Sequence, residues 1–239
     1  VLDARQLTEI SQIPVGQGPV GIATNHDGSL AYVADWYEHK ISIVDVDKQL
    51  IRNRIDVGKS PAGLIFDESG NRLYVANRDD STVSIINTLT ETMESTIEVG
   101  KSPFGLALTA DGQRLFSVNV QDNSVSMIDT DSLAVIATIE VGEWPYCAVS
   151  SPDGKFLYVT NQDENSVSVI DIAAAETINT IEVDDSPEGI DITANGKYLY
   201  VSNWGSGSVS IIDTETGKRI EDIKTGDGSR AFGDFIISQ

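Results

Sequence analysis

Enzymatic chemistry in a protein usually starts from histidine, cysteine or converging carboxylates, and this chain is sparing with the first two. Among 239 residues there are two histidines and one cysteine. His26 sits in the turn Asn25-His26-Asp27-Gly28, and His39 lies four residues beyond Asp35. There is no His-x-x-x-His or His-x-Glu spacing and no cysteine-rich set, so zinc and copper lack their usual ligands. No Cys-x-x-Cys-His attachment motif occurs either. Ser42, Ser84, Ser126, Ser168 and Ser210 recur without a recurring histidine, which leaves no general base to activate a serine nucleophile. Carboxylates pair in Asp79-Asp80, Asp163-Glu164 and Asp184-Asp185, but the alternating Asp-x-Asp-x-Asp-Gly pattern of a calcium loop is absent. The expectation is no catalytic residue, no bound metal and no resident cofactor.

Aromatic and cationic residues make a stronger case. Trp36, Tyr37, Arg78, Phe104, Trp144, Tyr146, Trp204 and Arg230 include all three tryptophans of the chain. Trp, Tyr and Arg are the types that anchor binding sites, through large rigid contact area and stacking. These eight are read as a ligand- or partner-binding set because each departs from a regular pattern that governs the rest of the sequence.

That pattern has a step of 42 residues. Tyr32-Val33-Ala34-Asp35, Tyr74-Val75-Ala76-Asn77, Phe116-Ser117-Val118-Asn119, Tyr158-Val159-Thr160-Asn161 and Tyr200-Val201-Ser202-Asn203 are copies of one phrase. Pro19, Pro61, Pro103, Pro145 and Pro187 keep the same step, and Ser229 takes the next slot. Gly28, Gly70, Gly112, Gly154 and Gly196 form another ladder, and Asp45, Asn87, Asp129, Asp171 and Asp213 a further one. Each repeat reads as four short strands: about Val20 to Thr24, Leu30 to Ala34, Ile41 to Asp45 and Ile51 to Val57. They are rich in β-branched and aromatic residues and separated by Asx-Gly turns. No segment holds a helical period. Four strands in about 42 residues is the signature of a propeller blade.

Gly21, Gly63, Gly105 and Gly189 fall on the first strand, where inner strands crowd around an axis, and Cys147 and Ala231 hold the same slot. One residue on, Ile22, Leu64, Leu106, Ala148, Ile190 and Phe232 are apolar and suited to packing between blades. Asp191 stands in an axis-facing slot held elsewhere by small or apolar residues, which predicts a solvated channel beside it.

The combination Val-Gly-x-x-Pro-x-Gly, then Asp-Gly, Tyr-Val-x-Asn and Val-Ser-Ile-Ile-Asp resembles the YVTN family of β-propeller repeats, over about residues 13 to 236. The ending Arg230-Ala231-Phe232-Gly233-Asp234-Phe235-Ile236 also resembles the way such propellers finish. The resemblance implies a single all-β propeller domain over 1–239, commonly found in extracytoplasmic or cell-surface proteins, and implies no one activity. The repeats run 15–56, 57–98, 99–140, 141–182 and 183–224. A sixth, closing blade is expected from 225–239 together with 1–14. That blade lacks a second strand and most of a third, so a piece of a seven-bladed ring is the alternative.

Composition narrows the partners. Sixteen basic and 37 acidic residues give a formal charge of −21. Nucleic acid and anionic membrane surfaces both require the opposite sign. No apolar run approaches the ~20 residues that span a bilayer. A single cysteine excludes an intrachain disulfide. The reading is a non-catalytic, extracytoplasmic propeller that binds a protein, glycan or other small molecule through one loop face. The alternatives are a propeller subunit or domain of a periplasmic dehydrogenase-type assembly, in which another subunit bears the cofactor, and a metal-dependent hydrolase or lyase.

Overall fold

The computed structural model describes residues 1–3, 5–6, 8–231, 233 and 235–236. Two short N-terminal strands, β1 (Leu2–Asp3) and β2 (Thr8–Glu9), pair with each other. Five four-stranded antiparallel sheets follow. The first holds β3 (Pro19–Thr24), β4 (Leu30–Asp35), β5 (Lys40–Asp45) and β6 (Leu50–Asp56). The second holds β7 (Pro61–Phe66), β8 (Arg72–Asn77), β9 (Thr82–Asn87) and β10 (Thr92–Glu98). The third holds β11 (Pro103–Leu108), β12 (Arg114–Asn119), β13 (Ser124–Asp129) and β14 (Ala134–Glu140). The fourth holds β15 (Pro145–Ser150), β16 (Phe156–Asn161), β17 (Ser166–Asp171) and β18 (Glu176–Glu182), and the fifth β19 (Pro187–Ile192), β20 (Tyr198–Asn203), β21 (Ser208–Asp213) and β22 (Lys218–Lys224). Each blade is a simple meander, and the inner strands β3, β7, β11, β15 and β19 stand side by side in order. The architecture is that of a six-bladed β-propeller whose sixth sheet has two strands.

The repeated residues account for the blade. At the first turn, Gly28, Gly70, Gly112, Gly154 and Gly196 take φ between +69° and +72°, a region open to glycine at little cost. At the third, the side-chain oxygen of Asp45, Asn87, Asp129, Asp171 or Asp213 accepts the backbone N–H three residues on, at 2.8–3.0 Å. The asparagine that closes the Tyr-Val-x-Asn phrase is fully buried. Its Nδ2 donates to two hydroxyls of the next strand: Asn161 to Ser166 and Ser168, both at 2.9 Å, and Asn203 to Ser208 and Ser210 at 3.1 and 2.9 Å. Asn77 and Asn119 do the same with Thr82 and Ser84, and with Ser124 and Ser126. Where the first repeat has Asp35 the donation reverses, and Ser42 gives its proton to Asp35 at 2.6 Å. The serine ladder is scaffold.

The cores lie between blades. Tyr32, Ile41, Ile43 and Ile55 of the first blade pack on Leu73, Val75 and Ile86 of the second. Tyr74, Phe116 and Tyr158 lead the next three interfaces in the same way. The glycine slot of the inner strand faces the following blade: a Cβ on Gly21 would lie 2.0 Å from the Ala62 carbonyl oxygen, and one on Gly63 2.3 Å from that of Phe104. The close approach runs to the next inner strand, and it explains why only small residues hold the slot.

The two ends of the array differ from the middle. Ile22 is 67 % exposed where its counterpart Ile190 is 6 % exposed. Ile13 and Val15 cover part of the same first-blade face, against Ala31, Val33 and Val44. Beyond the fifth blade the C-terminal segment follows the inner strand, with the Ala231 carbonyl oxygen 2.0 Å from a Cβ built on Gly189. No strand forms among its described residues. Phe232 and Asp234 lie outside the described residues. Asp191 holds this segment. Its Oδ2 accepts the N–H groups of Phe235 and Ile236 at 2.8 and 2.7 Å, and its Oδ1 that of Ile192 at 2.7 Å. The solvated channel expected beside Asp191 is therefore corrected: the residue is buried, and protein N–H groups replace the water.

Candidate functional site

Two columns of the repeat meet at one end of the propeller. The first is the residue after the Asn or Asp of the phrase: Trp36, Arg78, Val120, Gln162 and Trp204. Each donates its backbone N–H to the carbonyl of the residue that enters an inner strand, at 2.9–3.1 Å, namely Gly18, Ser60, Ser102, Trp144 and Ser186. Arg78 and Val120 begin single 3₁₀ turns, Arg78–Asp80 and Val120–Asp122. The second column follows the proline that opens an inner strand, Phe104, Tyr146 and Glu188, with Arg230 in the same slot after Ser229. The scaffold hydrogen bonds fix where these side chains start, and the lack of a repeat in their identity makes them the candidate site.

Together they line a recess of about 440 Å³, bordered by Trp36, Arg78, Phe104, Val120, Trp144, Tyr146, Gln162, Glu188 and Arg230. Six of the eight residues expected from the sequence are among them. Trp204 is next to it, under the Arg230 guanidinium at 5.2 Å. Tyr37 is 70 % exposed, its ring lying against Gly18 outside the recess. Val120, Gln162 and Glu188 were not in the expected set. Their signal was available, since they stand in the same two columns.

The lining mixes aromatic rings with charged and amide groups. Phe104 and Tyr146 stack with ring centroids 4.3 Å apart, above buried Ala62 and Val120. Arg78 lies 5.9 Å over the Trp36 ring and pairs with Asp79 at 2.9 Å. Glu188 is 1 % exposed. Its Oε1 accepts from Gln162 Nε2 at 2.8 Å, and Thr160 Oγ1 holds its carbonyl at 2.9 Å. Its Oε2 lies 3.0 Å from Arg230 Nε, within ion-pair distance, yet takes no hydrogen bond among the described residues. Burial raises the Glu188 carboxyl, opposed by Arg230 and by the Gln162 bond. Burial, then the Glu188 charge, pushes the Tyr146 hydroxyl up to about 12. The same two causes push the Cys147 thiol, one residue away, up to about 12. Neither group is a ready nucleophile.

Trp144 is an outlier in the backbone. Its φ is +54°, and the equivalent positions are Gly18, Ser60, Ser102, Ser186 and Gly228, all with positive φ. A bulky side chain is rare in this left-handed region and carries a conformational cost there. Its N–H is held by Asn123 Oδ1 at 3.1 Å.

The remaining polar loop residues serve the backbone. His39 Nδ1 accepts the Ser60 N–H at 3.1 Å, the task of Asn123 and Asn165 in other blades. Asp80, Asp122 and Glu164 accept entry-loop N–H groups. No group of three or more His, Cys, Asp or Glu that could hold a metal ion occurs among the described residues.

Comparison with known proteins now adds a family. A match to the cytochrome D1 heme domain family covers residues 110–231, just over half of the chain. The chain belongs to this family. The propeller implied by the repeats is upheld, under a different family description from the YVTN one. No curated protein sequence matches. Among solved structures, Kuenenia stuttgartiensis hydrazine synthase is similar, at a TM-score of 0.67 and 19 % identity over 91 % of this chain and 89 % of that one. A protein of unknown function from Desulfotomaculum acetoxidans gives a TM-score of 0.74 and 16 % identity over 90 % and 75 %. At these identities the likeness concerns the fold.

The family description implies a haem, and the recess can be tested for it. Haem iron needs an axial donor, most often histidine, methionine, thiolate or tyrosinate. Neither histidine lines the recess: His26 Nε2 lies 2.9 Å from the Glu68 carbonyl, and His39 serves Ser60. Met127 is buried in the core between the third and fourth blades, and Met93 lies on outer strand β10. The tyrosine that does line it, Tyr146, holds its proton well above neutral pH. The residues of the recess do not fit a haem.

Proposed function

We propose that this chain is the propeller subunit or domain of an extracytoplasmic redox-enzyme assembly, supplying a binding face while another subunit bears the redox centre. The observation that carries this reading is the pairing of a cytochrome D1 heme domain match with a recess that has no axial donor for haem iron. A family built around a cofactor has here kept its propeller and furnished the end of it with aromatic rings, two arginines and a buried glutamate. Such a surface favours recognition over bond making. No helix of the described residues is long and apolar enough to cross a membrane.

The test is isolation of the native protein under mild conditions. A companion chain with a visible absorption spectrum, in fixed ratio to this one, is the expected result. A colourless protein running alone at all concentrations overturns the assembly. It would leave a free-standing binding module, the reading favoured by the recess taken by itself.

A further inference from the structure

Among the buried side-chain atoms of the described residues that take no hydrogen bond, Glu188 Oε2 is the one that belongs to a carboxylate. A carboxylate removed from water needs a counter-charge and hydrogen bonds to its oxygens. Oε1 has Gln162, while Oε2 has only the near approach of Arg230 and no hydrogen bond. Arg230 is itself half exposed, and its guanidinium also lies over Trp204. The Trp204 ring thus still holds it when its pair with Glu188 opens. Around the glutamate stand Trp36, Trp144 and Tyr146, whose ring faces attract cations. Arg78 does not oppose a cation strongly, because Asp79 neutralises it at 2.9 Å. Trp144 is retained in a backbone conformation that every equivalent position fills with glycine or serine, and strain kept at a concave surface points to use. The chain's charge of −21 draws cations toward it.

We infer that the recess binds a small organic ammonium ion, whose N–H groups take the Oε2 of Glu188 and whose carbon body lies against Trp36, Trp144 and Tyr146, with Arg230 giving up Glu188 and staying over Trp204. This rests on reading the recess as the propeller's functional site. It is independent of whether a companion chain exists.

The experiment compares two probes of like shape and opposite charge, benzylammonium and benzoate, by tryptophan fluorescence, since Trp36, Trp144 and Trp204 all flank the recess. Benzylammonium is expected to give a saturable change and benzoate none. Glu188→Gln is expected to weaken benzylammonium about tenfold or more, as loss of a charge-assisted hydrogen bond would. Arg230→Ala removes the internal competitor and is expected to tighten it. Should Glu188→Gln fail to fold, the Arg230→Ala direction still decides. Benzoate binding as tightly as benzylammonium, no saturable response to either, or weaker benzylammonium binding in Arg230→Ala overturns the inference. Isolation of a coloured companion chain would stand in any of these cases, so the two failures are distinguishable.

Discussion

The buried girdle of asparagines and the recess lie only one residue apart in sequence, yet they follow opposite rules. In the girdle, Asn161 is fully buried and both its N–H donors are matched to hydroxyls of the adjacent strand at 2.9 Å. The same bonds recur at Asn77, Asn119 and Asn203. In the recess, position follows the repeat but identity does not: Trp36, Arg78, Val120, Gln162 and Trp204 succeed one another in one column. Each girdle amide gives both N–H groups to hydroxyls, while the Oδ1 atoms of Asn77, Asn161 and Asn203 and the Oε2 of Glu188 take no hydrogen bond among the described residues; of these groups only Glu188 is a carboxylate. Paired buried polar groups rigidify a fold, and a buried carboxylate short of a hydrogen bond at the edge of a recess marks a place where a ligand can supply it. The difference separates what holds the propeller together from what it presents.

Three substitutions would break or sharpen this contrast. The largest effect on stability is expected from Asn161→Ala, which strips the Ser166 and Ser168 hydroxyls of their partner inside the fold. Chemical denaturation should show a loss of about 1–3 kcal/mol, with the recess unchanged in its response to benzylammonium. A loss of that response at full folding would mean that girdle and recess are one unit. Trp144→Gly installs the residue used at positions 18 and 228, with φ of +65° and +68°. Stability is expected to hold or to rise by up to about 1 kcal/mol as the strain is relieved, while cation binding falls. A large destabilisation would make Trp144 a structural cap. The smallest effect concerns pH and Glu188→Gln. Burial, opposed in part by Arg230 and Gln162, raises the Glu188 carboxyl, so it takes up a proton more readily in the folded than in the unfolded chain. The stability this contributes is present in full below the ordinary carboxyl value and is lost as pH rises through the raised one. The melting temperature of Glu188→Gln relative to the parent should therefore climb from about pH 4.5 upward. A flat difference would show that Arg230 and Gln162 compensate burial completely.

Much of the fold was legible because it repeats. Four strands per 42 residues, their boundaries to within about a residue, the Asx turns and the small-residue slot all follow from local preferences and from packing that each blade must solve again. Six of the eight residues that break the pattern converge on one recess. Glu188 breaks the pattern of its column as Phe104 and Tyr146 do, but in a chain with 37 acids an acidic residue points to binding less strongly than an aromatic ring or an arginine, and it was left out of the expected set. The Asp191 environment was misread for a related reason: its partners, Phe235 and Ile236, are more than forty residues away and lie outside the repeat.

By itself the sequence determined the blade, its turns, the hydroxyl–amide girdle and the columns from which a binding face is made. These depend on contacts within one repeat or between neighbours, and the 42-residue period encodes both. Only the tertiary structure decided which column members face one another across the recess. It alone shows that Glu188 is closed off from water with one oxygen short of a hydrogen bond, that Trp144 carries a strained backbone, and that Asp191 clasps the chain's last described residues. Burial and direction are properties of the assembled ring, and no single repeat contains them.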